Sequence, residues 1–436
     1  MPTPAATKTL LVQEAQALLT RLARVKPFAL TTPMATAAAP SPAAQKAVER
    51  YLVQGRRHLR GLVLDYLKWL NSPVSDGASP AEVQRRFVLL KLLFNKVLTQ
   101  FDLFADVLMQ RSEHGNGVWL AGLDVAAADA LELRGRYYEA PPVICYLDRG
   151  HGAAIRRART RLPGGGENPV AIVRVPRERM VGSGIAASLL HEVGHQGIAL
   201  LGLIDSVRED LRKNKPESAA MRQAWPLWDR WISEIIADVW ALAHLGIGST
   251  LGLIGVVSLP RAFVFRVGLD DPHPIPWVRV KLSCAVGRAL FPHPQWARLD
   301  AVWEAMYPLD ELEPEKRQLF DAIMATLPRF VRVLLHHRPK SLRGRSLKEV
   351  LPVAKRQPAQ LQALYQTWKR QPVLLRRQPP SLVFAVIGQA RSDGKMTPDE
   401  ESRALMDLVN YWALRDTLNP PEKRIEQVRR TRALAV

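Results

Sequence analysis

The stretch Ser188-Leu189-Leu190-His191-Glu192-Val193-Gly194-His195-Gln196, "SLLHEVGHQ", decides how this chain is read. His191 and His195 stand four apart. On an α-helix that spacing leaves them about 40° apart around the axis, so both imidazoles share one face. Two imidazoles so placed can reach a single Zn²⁺. Glu192 projects beside them, where a carboxylate can take a proton from water and pass it to a leaving amine. A catalytic zinc ion keeps three protein ligands and one open position, so the reading turns on a third ligand elsewhere in the chain.

A third histidine six residues after His195 is excluded, because that position is Leu201, and Ile198 occupies the place of the glycine such an extension needs. An acid on a following helix is the other solution. "WISEIIADVWALAHLG" (Trp231–Gly246) supplies Glu234 and Asp238, again four apart on one face. Glu234 can be the third ligand. Asp238 can accept the outer N–H of a ligating histidine, which sets its tautomer and raises its basicity. The rest of the segment is apolar, and two unpaired acids inside it would be costly to bury. Taken singly, the histidines fit a satisfied core and the acids a wet helix face. Taken together, in this order, they fit a metal site.

HExxH followed by ExxxD on the next helix resembles the pattern of the gluzincin metallopeptidases, the thermolysin-like clan. "SEIIADVWAL" is similar to the Glu-bearing helix of the HtpX and CAAX-prenyl protease families. Those families also carry a His-Pro followed by an arginine, and "DDPHPIPWVRV" offers His273-Pro274 and Arg279. The resemblance spans roughly residues 135–300. It implies a zincin-like core, zinc-dependent peptide-bond hydrolysis of a peptide or protein substrate, and a role for His273 or Arg279 in steadying the oxyanion. A cation aimed where negative charge develops can be worth several kcal/mol, on the order of 3. The chain departs from those families in lacking clear membrane spans. His244 and His293 read as structural residues.

Outward from this centre the expected fold is α+β and predominantly helical, with a small edge sheet and flanking helical regions. Residues 1–43 read as a short amphipathic helix and a Pro/Ala-rich linker, and 44–134 as a helical region. Ser79-Pro80 is placed to cap its second long helix. The metallopeptidase domain is expected over 135–327. "PPVICYL" (Pro141–Leu147) and "NPVAIVRVP" (Asn168–Pro176) read as strands, flanking a Gly-rich loop that lacks the Lys-Ser/Thr of a phosphate loop. The second strand could lie at a sheet edge and hold an extended peptide, or lie inside the sheet. Residues 328–382 read as a basic, Pro-containing connector.

The last region, 383–436, reads as a small helical module. Its "IGQARSDGKMTPDEESRALMDLVNYW" fails as a calcium loop, because Gln389 and Arg391 fall on ligand positions. It resembles the turn between helices of TerB-like domains.

The chain of 436 residues is long enough for several domains, and its 47% hydrophobic content is that of a globular protein. Its net charge of +20 implies an acidic partner: nucleic acid, anionic lipid or an acidic protein. The charge is densest in 328–382, where thirteen Lys or Arg stand against one acid, Glu349. Two distant cysteines, Cys145 and Cys284, point to a reducing compartment, and the first residues lack a signal-peptide pattern. A cytoplasmic setting is expected, with peripheral attachment to a membrane or an assembly open. The apolar run Val239–Pro260 carries His244, Ser249, Thr250 and several glycines, and is expected to be a buried helix and turn rather than a membrane span.

Overall fold

The computed structural model describes residues 4–113, 115–149, 152–162, 165–176, 182–214, 217–268 and 270–418. The chain is predominantly helical with one small sheet. It divides into two compact units. One comprises Met1–Ala121, Pro141–Tyr146 and Arg156–Ile172; the other comprises Gly122–Ala140, Leu147–Ile155 and Val173–Val436.

The first unit is built on α1 (Pro4–Arg24), the short α2 (Phe28–Thr31), α3 (Pro42–Leu70) and α4 (Pro80–Met109). Ser41 and Ser79 cap the two long helices by accepting from the backbone N–H of Ala44 and Glu82, each with proline in the first turn. Val48, Leu52, Leu59, Val63, Tyr66 and Leu70 form the buried stripe of α3. It meets Val83, Phe87, Phe94 and Phe101 of α4 in a common core. Fully burying such a side chain stabilises by roughly 1.5–3 kcal/mol, which outweighs the modest helix propensity of the β-branched and aromatic members.

Next come α5 (Asn116–Leu131) and the strands β1 (Val143–Asp148), β2 (Ala154–Arg156) and β3 (Ala171–Pro176), in the order β1-β3-β2. β3 is therefore the central strand. The edge position considered for "NPVAIVRVP" is corrected: both sides of β3 are paired, because the three-residue β2, too short to read from the sequence, covers its second side. Residues 163 and 164 of the Gly-rich loop lie outside the described residues.

The second unit holds α6 (Ser183–Leu200), α7 (Leu203–Lys213), α8 (Ala219–Arg230), α9 (Ile232–Leu245), α10 (Ile247–Val257), α11 (Arg261–Val264), α12 (Pro276–Leu290) and α13 (Gln295–Met306). It continues with α14 (Pro314–His336), α15 (Leu347–Val350), α16 (Pro358–Arg370), α17 (Pro372–Arg376), α18 (Pro380–Ser392) and α19 (Pro398–Leu418). Its core is rich in buried tryptophan, and most indole N–H groups find an acceptor: Trp228 on Thr326, Trp240 on Ala130, Trp277 on Tyr307, Trp296 on Phe291 and Trp303 on Trp277. A bulky ring with one satisfied polar tip packs in a single register, which fixes the helices around it.

The expected domain plan is corrected at two points. Residues 328–382 are not a connector: Phe330, Val331, Leu334, Leu335, Leu342, Leu347, Leu351 and Val353 are buried in the same core as α9 and α12. Pro328 sits inside α14. The C-terminal stretch is not a separate module either. Its α18 is buried along nearly its whole length, and Gly388 lies against Gly248 of α10. The turn into α19 does match a capped helical hairpin: Gly394 has φ +66°, and the Thr397 hydroxyl accepts from Glu400 N–H.

Val239–Pro260 is two helices rather than one, broken where Gly246 adopts φ +57°. No helix among the described residues is long and apolar enough to cross a membrane. Cys145 and Cys284 are both buried and free.

Candidate metal centre

The site is made by α6 lying against α9. Their approach is set by small residues on α6. A Cβ at Gly194 would come within 3.0 Å of Trp240 Cβ and 3.2 Å of the Ala237 backbone, and one at Gly197 would stand 2.5 Å from the Trp240 ring. The indole of Trp240 is itself held by its hydrogen bond to Ala130 O. Glycine at these two positions lets the helices close to the distance at which short side chains from each can meet.

His191 and His195 of α6 then face Glu234 of α9. His195 Nε2 is 3.2 Å from His191 Nε2, His191 Nε2 is 3.1 Å from Glu234 Oε2, and His195 Nε2 is 3.4 Å from Glu234 Oε1. Zinc–nitrogen and zinc–oxygen bonds of about 2.0–2.1 Å in a tetrahedron require ligand atoms about 3.3 Å apart. The three separations fall around that value.

The hydrogen-bond chemistry points the same way. His191 Nδ1–H donates to Asp238 Oδ1 at 2.8 Å, so in the neutral ring Nε2 carries a lone pair. That lone pair faces a carboxylate oxygen and a second imidazole nitrogen. Such a set needs a cation at its centre, either a proton or a metal ion. Without a metal, burial disfavours the charged imidazole, but the hydrogen bonds it donates to Asp238 and Glu234 outweigh it and raise the His191 pKa. Charge balance also favours a divalent ion. Glu192, Glu234 and Asp238 bring three largely buried carboxylates to a region where, among the described residues, Arg279 is the one guanidinium in contact with them.

Arg279, from the first turn of α12, forks onto Asp238. Its Nε is 2.6 Å from Oδ2 and its Nη2 is 2.8 Å from Oδ1. Burial works to raise the Asp238 pKa, but Arg279 overrides it and holds the carboxylate well below its usual range. Glu234 is likewise held low, against burial, by the two histidines. Arg279 Nη2 also lies 3.5 Å from His191 Nδ1, so the guanidinium stands over the Asp238–His191 pair.

His273 stands on the open side of the site. It is half-exposed, with Nε2 3.3 Å from Glu234 Oε2. Its Nδ1 lies 2.9 Å from Asp271 Oδ1, an oxygen that also accepts the His273 backbone N–H. Asp271 was missed in the sequence, although an acid two residues before a histidine, as in "DDPHP", is a readable signal for a local side-chain pair. Gly194 and Gly197 were missed too, although G-x-x-G on a helix marks a close approach.

Glu192 is buried beside the cluster, and burial pushes its carboxyl pKa up, against the pull of the two histidines. His244 is a core residue, as expected: its Nδ1–H donates to Trp240 O at 2.8 Å and its ring stacks on Trp240. His293 sits in the α12–α13 turn and accepts from Gln295 N–H.

A cavity of about 940 Å³ begins one helical turn before His191. Gly184 and Ser188 of α6 line it, on the same stripe as His191 and His195. Leu251 and Ile254 of α10 and Val302 of α13 supply apolar wall, with Arg298 as a cation.

No protein-family model matches the chain, and no curated protein or solved structure matches it either. The geometry above therefore carries the functional reading.

Proposed function

We propose that this chain is a zinc-dependent endopeptidase with a gluzincin-type, zincin-like core. One observation carries the reading: two imidazole nitrogens and a carboxylate from neighbouring helices converge at 3.1–3.4 Å, with a buried glutamate next in sequence to the first of them. His191, His195 and Glu234 would hold the ion. Bound there, Zn²⁺ would polarise a peptide carbonyl and bring the pKa of water near neutrality. Glu192 takes the proton released by the attacking water and returns it to the leaving amine. Burial raises its pKa, the direction that favours a carboxyl able to hold a proton and pass it on.

His273, steadied by Asp271, would help to stabilise the charge that grows on the substrate carbonyl oxygen. Asp238 and Arg279 position His191.

The test compares wild type, Glu192→Gln and Glu234→Ala by metal analysis and by hydrolysis of an unfolded protein substrate. Glu192→Gln should retain zinc and lose activity by roughly 10³-fold, within the range of general acid–base contributions. Glu234→Ala should lose much of the zinc. Equal zinc in wild type and Glu234→Ala would remove the ligand assignment.

A second reading, a basic protein that binds an acidic partner through 328–382, has less support. Several cations there are already engaged within the chain: Arg338 on Glu349, Arg329 on Glu217, Arg345 on Tyr137 and Glu349, and Arg356 on His244 O and Ser381.

A further inference from the structure

In the first unit, α1 and α3 enclose a crevice of about 450 Å³. Leu19 and Leu22 of α1 and Val53 of α3 form its apolar lining, and Arg56, Arg57 and Arg60 its polar lining. Positions 53, 56, 57 and 60 follow the spacing that puts residues on one helix stripe. This stripe flanks the buried one, with Arg56 part-buried and Arg57 and Arg60 exposed. Here three of its four members are guanidinium groups that repel one another at i,i+3 and i,i+4.

No acid answers them. Arg56, Arg57 and Arg60 form no ion pair or side-chain hydrogen bond among the described residues, and Arg56 Nε is buried without any partner. Some arginines of the chain are paired instead: Arg86 with Glu82, and Arg317 with Asp310 and Asp321. The last turn of α1 adds Arg21 and Arg24 to the same end of the helix pair.

We propose that this crevice is a binding site for a phosphate-bearing amphiphile, a phosphate monoester head on the arginines and a short apolar tail against Leu19, Leu22 and Val53. Planar guanidinium forks match phosphate oxygens two at a time. An anion there satisfies the orphaned Arg56 Nε–H and cancels the repulsion along the stripe. The volume is that of a single small ligand, in the range of roughly 300–1,000 Å³ seen for such pockets. The site uses none of the metal-centre residues.

The experiment is calorimetric titration of the full chain with octyl phosphate below its micelle concentration. Inorganic phosphate, and vesicles of phosphatidylcholine with and without phosphatidic acid, are titrated in parallel. Octyl phosphate should bind saturably, at least tenfold tighter than inorganic phosphate. The exposed-site double variant Arg57→Gln/Arg60→Gln should weaken it at least tenfold, while Arg332→Gln on α14 should not. Tighter binding to phosphatidic acid vesicles than to free octyl phosphate, lost in the same double variant, would identify a lipid head as the source of the phosphate. Three results overturn the proposal: no saturable binding to either form, equal affinity for inorganic and octyl phosphate, or a double variant that binds as wild type does.

Discussion

The α9 helix and the stretch 328–382 both put charge where a quick reading expects something else, and they resolve it in opposite ways. In α9 two carboxylates lie inside an apolar helix, and both are answered from other helices: Glu234 by the histidines of α6, Asp238 by His191 and by Arg279 of α12. In 328–382 the cations are many, but the ion pairs they form are scattered one by one, Arg338 with Glu349 and Arg329 with Glu217, and the apolar residues between them build core. Convergence of a few charges from separate elements marks a site. A large number of charges along one segment does not.

The largest effect expected from breaking this contrast is at Glu234. Removing one converging carboxylate should lose the metal, whereas Arg338→Gln, which removes one partner of an exposed pair with Glu349, should change unfolding free energy by no more than about 1 kcal/mol and leave metal content untouched. Metal analysis and denaturant titration of the two variants check both halves. A Glu234→Ala protein that holds metal as wild type does would erase the distinction.

Next in size is Asp238→Asn. It preserves shape but loses the charge that orients His191 and pairs with Arg279. Outer partners of ligating histidines typically contribute 10–100-fold in metal affinity, so a loss of roughly that size is expected in competition with a chelator of known affinity. Arg279→Lys should produce a smaller loss in the same assay, because an ammonium cannot reproduce the two-pronged contact. An Asp238→Asn protein with unchanged affinity would mean that the Asp238–Arg279 pair only packs α9 against α12.

Much of this centre was legible because helical periodicity is local. Spacings of four within α6 and within α9 determine which side chains share a face, and zinc chemistry then says which faces must meet. The distances between helices were not legible. They depend on Gly194 and Gly197 against Trp240, a contact between residues more than forty positions apart. The domain plan failed for a related reason. Prolines and cations in 328–382 dominate its composition, yet Phe330, Leu334 and Leu342 decide where it packs. The central place of β3 was hidden because its second neighbour is only Ala154–Arg156, too short to show an alternating pattern. Asp271 escaped because, although its spacing to His273 suggests a local pair, the place of that pair beside Glu234 depends on how the loop before α12 folds back onto α9.

The glycine contact gives the third prediction. Gly197→Ala places a methyl group 2.5 Å from a Trp240 ring that is itself anchored, and overpacking of this kind costs about 2 kcal/mol. At Gly184, in the same helix, an added methyl group would meet nothing within 4 Å, so Gly184→Ala should be neutral or slightly stabilising. If denaturant titration finds the two substitutions equivalent, close packing of α6 on α9 is not what sets the site.

The smallest effect separates His244 from the site histidines, though all three lie on the α6–α9 pair. Burial lowers the His244 pKa from 6.5 to about 4, with the nearby Arg356 guanidinium adding to the drop and the Trp240 carbonyl opposing it. The folded state therefore keeps this ring neutral at a pH where the unfolded chain binds a proton. With more protons on the unfolded side, stability is full above about pH 6.5 and falls as pH drops from there toward 4. Between pH 7 and pH 5.5 the loss from this one group should be about 1 kcal/mol. His244→Gln keeps a side-chain N–H for the Trp240 carbonyl but has no proton to gain, so its unfolding free energy should fall by that much less over the same interval. Every other titrating group is common to both proteins and cancels in the difference. Parallel pH curves for the two would show that His244 is hydrated in the folded chain, and would detach it from the dry core that surrounds the far end of α9.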